Sequence, residues 1–349
     1  MKQGVKVRFW IYLVVLFLTI AASIVAGMSI GTAGVHFQDT IGILLHKLFG
    51  MKIEEISDVS VNIIWSLRCP RTIMAIAVGG GLAIAGAAMQ AVTQNVLAEP
   101  YILGVSSGAS AMVTLVYFIG GSLMYISYIV PLFAFLGAVL SLVLVYKIGM
   151  SSINSNSSRL VLAGMTVSVI LNAASQFFIS MMPNSNLIRS ITMWMMGSLS
   201  GARWNNLLLP CIASGIGLIY FTLNARAYNS LSLGDETAIS LGIDARKVKK
   251  HTIIAVSFLT GIIVSAAGLI GFVGFIIPHI IRFLVGADHR KLFPLCYLCG
   301  GIFLLWMDMI ARTIMAPQEL AIGIFTAFCG GPFFVWLLYS KNRGNGRKG

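Results

Sequence analysis

The sequence predicts an all-α protein of about ten transmembrane helices, several of them short or broken, in a single transmembrane domain over residues 1–349. Three observations predict this. The chain is 58% hydrophobic and only 10% charged, with a mean hydropathy of +0.90, whereas a soluble domain is about half apolar and about a quarter charged. Apolar runs of about 20 residues, the length that crosses a bilayer, recur along its length. The basic residues alternate between dense and sparse clusters from one connection to the next. Together they exclude a soluble globular enzyme, a disordered chain and a disulfide scaffold, because so much apolar surface cannot be hidden inside one water-facing fold.

Taken in order, Lys2, Lys6 and Arg8 precede an apolar run from Phe9 to Gly27, broken only by Thr19 and Ser23. It exceeds the core of a signal peptide and predicts a first spanning helix. The polar stretch 31–67, with Asp39, Glu54, Glu55 and Asp58, is expected outside the membrane. Further spans are predicted over 70–92, 101–120, 125–147, 158–181, 204–223, 250–268, 271–285, 292–311 and 320–340, and a partial or re-entrant helix over 183–203 with Trp194 and Trp204 at the interface. Pro100, Pro278 and the series Gly268, Gly271 and Gly274 are expected to interrupt regular helix, which is tolerated at membrane depth only where protein or a water-filled path receives the freed backbone groups.

With the N-terminus inside, alternation puts Lys2, Lys6, Arg8, Lys147, Arg159, Arg226, Arg246, Lys247, Lys249, Lys250, Arg282, Arg290, Lys291, Lys341, Arg343, Arg347 and Lys348 on the cytoplasmic side. Only Lys47, Lys52, Arg68, Arg71, Arg189, Arg203 and Arg312 of the 24 basic residues fall outside. This asymmetry predicts both termini in the cytoplasm of a multi-pass protein. The excess basic charge therefore points to orientation rather than to nucleic acid. The spacings Gly27-x-x-x-Gly31, Gly104-x-x-x-Gly108 and Gly197-x-x-x-Gly201 predict close helix packing, within one subunit or at a dimer seam.

Chemistry is sparse. There is no phosphate loop, no HExxH and no nucleophile elbow, and Cys296 and Cys299 lack a second pair that would complete a metal site. No catalytic residue, cofactor or metal is expected. Asp308 is the acid expected within a span, with Arg312 one turn on to pair with it. A chain with many spans, few intramembrane acids and no catalytic motif is expected to move a solute with energy from a partner. The loop 224–250 is the candidate contact. Leu231, Leu233, Gly234, Asp235, Glu236, Ala238, Ile239, Leu241 and Gly242 form two short amphipathic turns parted by Gly234 and closed by Gly242. Its length and apolar content suit a docking element, or else a helix lying on the membrane surface.

From about residue 60 the chain resembles the FecCD-type permeases of ABC importers for iron-siderophores, haem and cobalamin. The resemblance rests on Leu67-Arg68-Cys69-Pro70-Arg71, Gly81 to Gly86, Asn95 to Pro100, Leu103 to Ala109, Trp194 to Leu199, Leu233 to Gly242, Gly271 to Gly274, Pro278 to Arg282, Asp308 to Arg312, Glu319 to Gly323 and Gly331 to Phe334, in that order. The chain departs from the family pattern at Gln94 and Val96, where Arg and Pro are usual, and at Leu269 and Ala321, where Pro is common. The resemblance implies a transport subunit that pairs with a second permease copy, binds two copies of an ATP-binding cassette ATPase below, and receives an extracytoplasmic substrate-binding protein above. It implies that Arg68, Arg71 and Arg312 meet acids of the binding protein. Asn95 and Leu97 match the inner gate, and residues 231–242 match the ATPase coupling helices. The expected cargo is a ferric siderophore, with cobalamin or haem as the alternative and a stand-alone secondary transporter or a membrane-embedded enzyme as readings from other classes.

Overall fold

The computed structural model of the chain describes residues 2–31, 34–51, 57–120, 128–149 and 157–345, and among these there is helix and no strand. Glu54, Glu55, Arg347 and Lys348, used above to place loops and tail, lie outside the described residues. Six helical stretches are long and apolar enough to cross a membrane: Phe9–Ser29, Asp58–Thr93, Ile129–Gly149, Arg159–Ser180, Ala245–Ala267 and His289–Thr313. A seventh is the pair Leu208–Leu223 and Ala225–Leu231, bent by 62°. Three shorter apolar helices, Val105–Ile119, Val273–Val285 and Ile322–Leu337, complete the pattern of spans expected from the sequence.

The centre of the bundle is the pair α4 (Cys69–Thr93) and α14 (His289–Thr313). Nearly every residue of α4 is buried, as its run of Gly and Ala requires. A methyl group at Gly79 would collide with the Gly300 carbonyl, and one at Gly300 with the Gly79 carbonyl, so the two backbones touch directly. Gly86 makes the same approach to Gly274 of α13 (Val273–Val285). The helix α1 (Lys2–Ser29) lies against α14, with Trp306 Nε1 donating to Ser23 Oγ at 3.0 Å. A second group of helices, α5 (Val105–Ile119), α6 (Ile129–Gly149) and α7 (Ser157–Ser180), is closed by the mutual contact of Gly108 and Gly137. Of the glycine spacings read from the sequence, Gly27, Gly31, Gly104, Gly108 and Gly197 pack against other parts of the chain, whereas Gly201 has open space beside it. Two helices share the bent seventh span, α9 (Leu208–Leu223) and α10 (Ala225–Leu231), and α11 (Asp235–Ser240), α12 (Ala245–Ala267) and α15 (Ile322–Asn345) complete this half.

Three features differ from the sequence reading. The stretch 31–67 is not simply an excursion: it holds α2 (Phe37–Phe49), whose Thr40 and Ile43 are buried, and α3 (Asp58–Asn62). Its polar residues hid an amphipathic pattern that buries one narrow face. The second span begins earlier than expected, since α3 runs through a π-helical turn at Ile63–Arg68 into α4; Pro70 has no N–H to offer the preceding turn, and the Trp65 carbonyl five residues back accepts from Trp204 Nε1 at 2.8 Å. Pro278 does not break its helix either. A proline leaves the carbonyl four residues back without its donor, here Gly274, and Gln90 Nε2 of α4 donates to that carbonyl at 3.2 Å. The interruption falls at 268–272, within the glycine series expected to break the helix, where Gly268 (φ 70°) and Phe272 (φ 68°) take left-handed backbone. The region 183–203 does contain the expected partial helix, α8 (Ser185–Met195). Beyond it, Trp204 stacks on Trp65 at 5.0 Å and donates to the Trp65 carbonyl.

Candidate transport site: an arginine cavity and a docking loop at opposite ends of one helix pair

Arg68 and Arg71, at the N-terminal end of α4, converge with the sequence-distant Arg312 at the C-terminal end of α14. Arg71 Nε donates to both oxygens of Asp308 at 2.9 and 3.1 Å, and Arg71 Nη1 to both oxygens of Glu319 at 3.0 and 2.9 Å. Each nitrogen straddles one carboxylate, so a single guanidinium holds two acids on two different edges by charge-assisted hydrogen bonds. Asp308 is almost fully buried, with 1% of its side chain accessible, whereas 38% of Glu319 is. Arg68 donates to the carbonyls of Met28 and Ser29, at 3.0 and 2.6 Å, and Arg312 to that of Gly27. These carbonyls close α1, and a helix C-terminus both lacks partners and carries partial negative charge. Arg68 and Arg312 are therefore cationic caps for α1. The Asp308–Arg312 pair foreseen from sequence is present at 3.8 Å, but the stronger partner of Asp308 is Arg71, 237 positions away. The cluster borders a cavity of about 320 Å³ lined also by Ser200 and Arg203. The three side chains expected to meet a partner are, within the chain itself, all buried and engaged, as unpaired charge in such a place would be costly.

The other end of the same two helices carries the loop. It is built as the sequence suggested: α10, a turn at Gly234 (φ 112°), α11, and a second left-handed glycine at Gly242 (φ 79°). Its apolar residues divide into two sets. Leu231 and Ala238 are fully buried together with Tyr228 and anchor the loop, while Leu233, Ile239 and Leu241 are each more than 60% exposed. Of the residues assigned to docking, Leu231 and Ala238 thus hold the element and Leu233 and Leu241 face outward. Four polar attachments hold the loop to the bundle. Gln94, which ends α4 in left-handed backbone (φ 53°), donates to the Leu231 carbonyl and to Asp235 Oδ1 at 3.1 and 2.9 Å. Lys249 of α12 pairs with Asp235 Oδ2. Asn229 donates to Asp288 Oδ1 and accepts from the backbone N–H of His289, both at the start of α14. Tyr228 and Thr252 share a hydroxyl contact at 2.8 Å. Glu236 makes no ion pair among the described residues.

Between α4 and α5, the Asn95 side chain accepts from the Leu97 N–H at 2.9 Å and shapes the turn. Asn95 is exposed, and Leu97 lines a cavity of about 350 Å³ with Glu99, Tyr101, Phe272, Phe275 and Phe334. Glu99 Oε1 accepts from the Phe272 N–H at 3.0 Å, capping the break before α13. Among the described residues no group of His, Cys, Asp and Glu could hold a metal ion, and Cys296 and Cys299 are free thiols.

The FecCD transport family model matches residues 16–340. The chain belongs to the FecCD transport family. It is 37% identical over 281 residues to the hemin transport system permease HmuU of Yersinia pestis, covering 79% of this chain and 83% of that one. It is 35% identical to the vitamin B12 import permease BtuC of Vibrio cholerae over 81% of this chain and 84% of that one. A solved structure described as an inward-facing metal-chelate type ABC transporter superposes with a TM-score of 0.78 at 30% identity, covering 94% of this chain and 98% of that one. This FecCD protein is thus a multi-pass ABC importer permease, which works with an ATPase, and the family is one of transport subunits. The relatives carry different cargoes, so family membership leaves the substrate open.

Sequence reasoning missed Glu319 and Arg203 as members of the arginine cavity, and Gln94, Asn229 and Asp288 as the ties of the loop. Glu319 and Gln94 had appeared as parts of motifs and Arg203 among the outer basic residues, each without its partners. The one available hint for Gln94 was its place where the family usually has Arg. A long polar donor persists there, and it reaches the loop.

Proposed function

We propose that this permease forms, with a second copy of itself, the path by which a ferric siderophore crosses the cytoplasmic membrane, with both termini inside, two ATPase subunits beneath and a binding protein docking outside. The observation that carries the reading is the division of the loop 231–242 into a buried anchor and an exposed apolar edge of Leu233, Ile239 and Leu241. An apolar edge beside a basic helix start is what a partner's groove would cover, and the bundle itself covers none of it. In this reading Gly234, Asp235, Glu236 and Gly242 set the turn that fits the ATPase. Asn95 and Leu97 form one wall of the inner gate. A gate needs two walls, and Leu97 borders a cavity open at the chain's surface, so a second copy supplies the other. ATP-driven closure of the partner subunits would pull α10 and α11. Gln94 and the Asn229–Asp288 contact then pass that pull to α4 and α14.

A metal chelate as cargo is supported by the likeness to the metal-chelate type transporter over 94% of the chain. The haem and cobalamin readings share that support. Uptake into proteoliposomes of the full complex, with labelled ferric siderophore, haem and cobalamin in parallel, separates them: ATP-dependent accumulation of the ferric siderophore alone is expected, and accumulation of haem or cobalamin instead overturns the iron-chelate assignment. Labelling a Cys placed at Ser232 with an impermeant reagent tests the orientation, and reaction in intact cells would reverse it.

A further inference from the structure

The arginine cavity contains more than the docking reading uses. Four arginines, Arg68, Arg71, Arg203 and Arg312, line it, and among the described residues Glu319 is the one carboxylate that lines it with them, while Asp308 lies behind the wall. The four cations do not have equal freedom. Arg68 and Arg312 are committed to the carbonyls that end α1. Arg203 is exposed and uses only Nη1, toward the Ser200 and Ala202 carbonyls. Arg71 is gripped on its Nε edge by the buried Asp308 and on its Nη1 edge by the more exposed Glu319.

We propose that Glu319 is the resident occupant of a carboxylate-receiving site made by Arg71 and Arg203, and that docking exchanges it for a carboxylate of the binding protein. The inference rests on the reading of this end as the binding-protein face. Three features make the exchange inexpensive. Arg71 keeps Asp308 when Glu319 leaves, so no buried charge is orphaned. Glu319 also lines a second cavity, of about 420 Å³, where Ser198 and Ser200 place hydroxyls 3.0 Å apart, so the displaced carboxylate finds donors within reach of a side-chain rotation. The flanking backbone is pinned, with the Gln318 N–H bonded to Met315, that of Leu320 to Ala311 and that of Ile322 to Gly197, so only the side chain needs to move. A partner whose contact acid is held on a rigid lobe gains the Nη1 edge of Arg71 and the open edge of Arg203 together. This makes Glu319 an internal competitor that sets docking affinity, and Arg203 a docking residue that the sequence motifs do not single out.

The test uses the permease–ATPase complex in lipid nanodiscs and its purified binding protein, with affinity measured at low and at high salt. Glu319→Gln removes the competing charge and keeps the side-chain shape; the binding protein should bind about three- to tenfold more tightly. Arg203→Glu should weaken binding by more than about tenfold and flatten its salt dependence. If Glu319→Gln folds poorly, Glu319→Asp, one methylene shorter and less able to span to Arg71, should tighten binding in the same direction by less. Salt-dependent docking that Arg203→Glu destroys but neither Glu319 variant strengthens overturns the exchange and leaves the docking reading standing. Docking that ignores salt and Arg203→Glu alike overturns the docking reading itself.

Discussion

The two ends of the α4–α14 pair solve opposite problems. At one end three arginines are turned inward: Arg71 onto two carboxylates, Arg68 and Arg312 onto the last carbonyls of α1. At the other, apolar Leu233, Ile239 and Leu241 are turned outward on a loop that is already fixed in shape by Leu231, Ala238 and Gln94. A partner can cover the loop without rearranging it, and most of the gain would be burial of apolar surface. A partner at the arginine end must compete with contacts that already exist, and the gain there is a difference between two ion pairs. The first kind of contact suits a subunit that stays bound, the second a partner that comes and goes.

The contrast breaks first at Asp308. Asp308→Ala would leave Arg71 and Arg312 facing each other in a buried site with Glu319 alone to balance them. Removing one member of a buried ion cluster costs about 3–5 kcal/mol. We expect a large fall in the thermal midpoint of the detergent-solubilised permease and loss of the α1 contact with α14. Wild-type melting behaviour would show that the cluster is open to water and that its charges are surface pairs, which contribute little.

At the loop end the expected loss is of binding with the fold intact. Leu233→Asp combined with Leu241→Asp adds charge to an exposed edge and removes nothing from the core. Truncating central apolar anchors typically costs 1 kcal/mol or more each, so an affinity drop of about tenfold to a hundredfold for the ATPase is expected. Circular dichroism and melting should be unchanged. Wild-type ATPase binding should also survive high salt, in contrast to the other end. Retained affinity in the double variant would reassign the loop to the membrane surface.

How much of this was legible depended on the range of the contact. The spans, the short helix after residue 183 and the paired turns around Gly234 are local patterns, and apart from the early start of the second span each stands close to where composition and periodicity put it. Asp308 and Arg312 were readable as a pair because they are one helical turn apart; Arg71 was not readable as their partner because nothing in a sequence pairs positions 237 apart. Burial within an apolar stretch was also invisible. Leu231 and Leu233 look alike in sequence, yet Leu231 ends α10 on its packed face and is buried, while Leu233 lies in the turn beyond it and is exposed. Pro278 was misread for a related reason: its helix survives because Gln90, on another helix, donates to the carbonyl that proline strands.

A smaller effect concerns the hinge of the loop. Gly234 has φ 112° and nothing but Thr237 Oγ1 at 4.0 Å near the position of a side chain. Space is therefore not the obstacle to a larger residue; the backbone conformation is, at a cost of about 1–3 kcal/mol. Gly234→Ala should lower transport and partner-stimulated ATP hydrolysis several-fold. Gly234→Trp should do so more severely, because the indole would stand on the docking edge. Both variants should still insert and fold. Normal transport by Gly234→Trp would remove the turn from the coupling element.

The smallest expected effect is the most informative about how the ends communicate. Gln94 is the C-terminal residue by which α4, whose first turn holds Arg71, reaches the loop through Leu231 and Asp235. Each of its two hydrogen bonds is worth about 1 kcal/mol or less. Its left-handed backbone would be relieved by glycine, so Gln94→Gly removes the contacts while lowering strain and should leave the melting temperature nearly unchanged. The Lys249–Asp235 pair still holds the loop in place, and ATPase affinity should therefore change by less than about threefold. What should fall is the increase in ATP hydrolysis when the binding protein docks, since the link between α4 and the loop is the contact removed. Gln94→Arg, which restores a longer donor and a charge opposite Asp235, should return it. If stimulation is normal in Gln94→Gly, the two ends are linked through α14 and its Asn229 contact instead, and Asn229→Ala becomes the variant that should uncouple them.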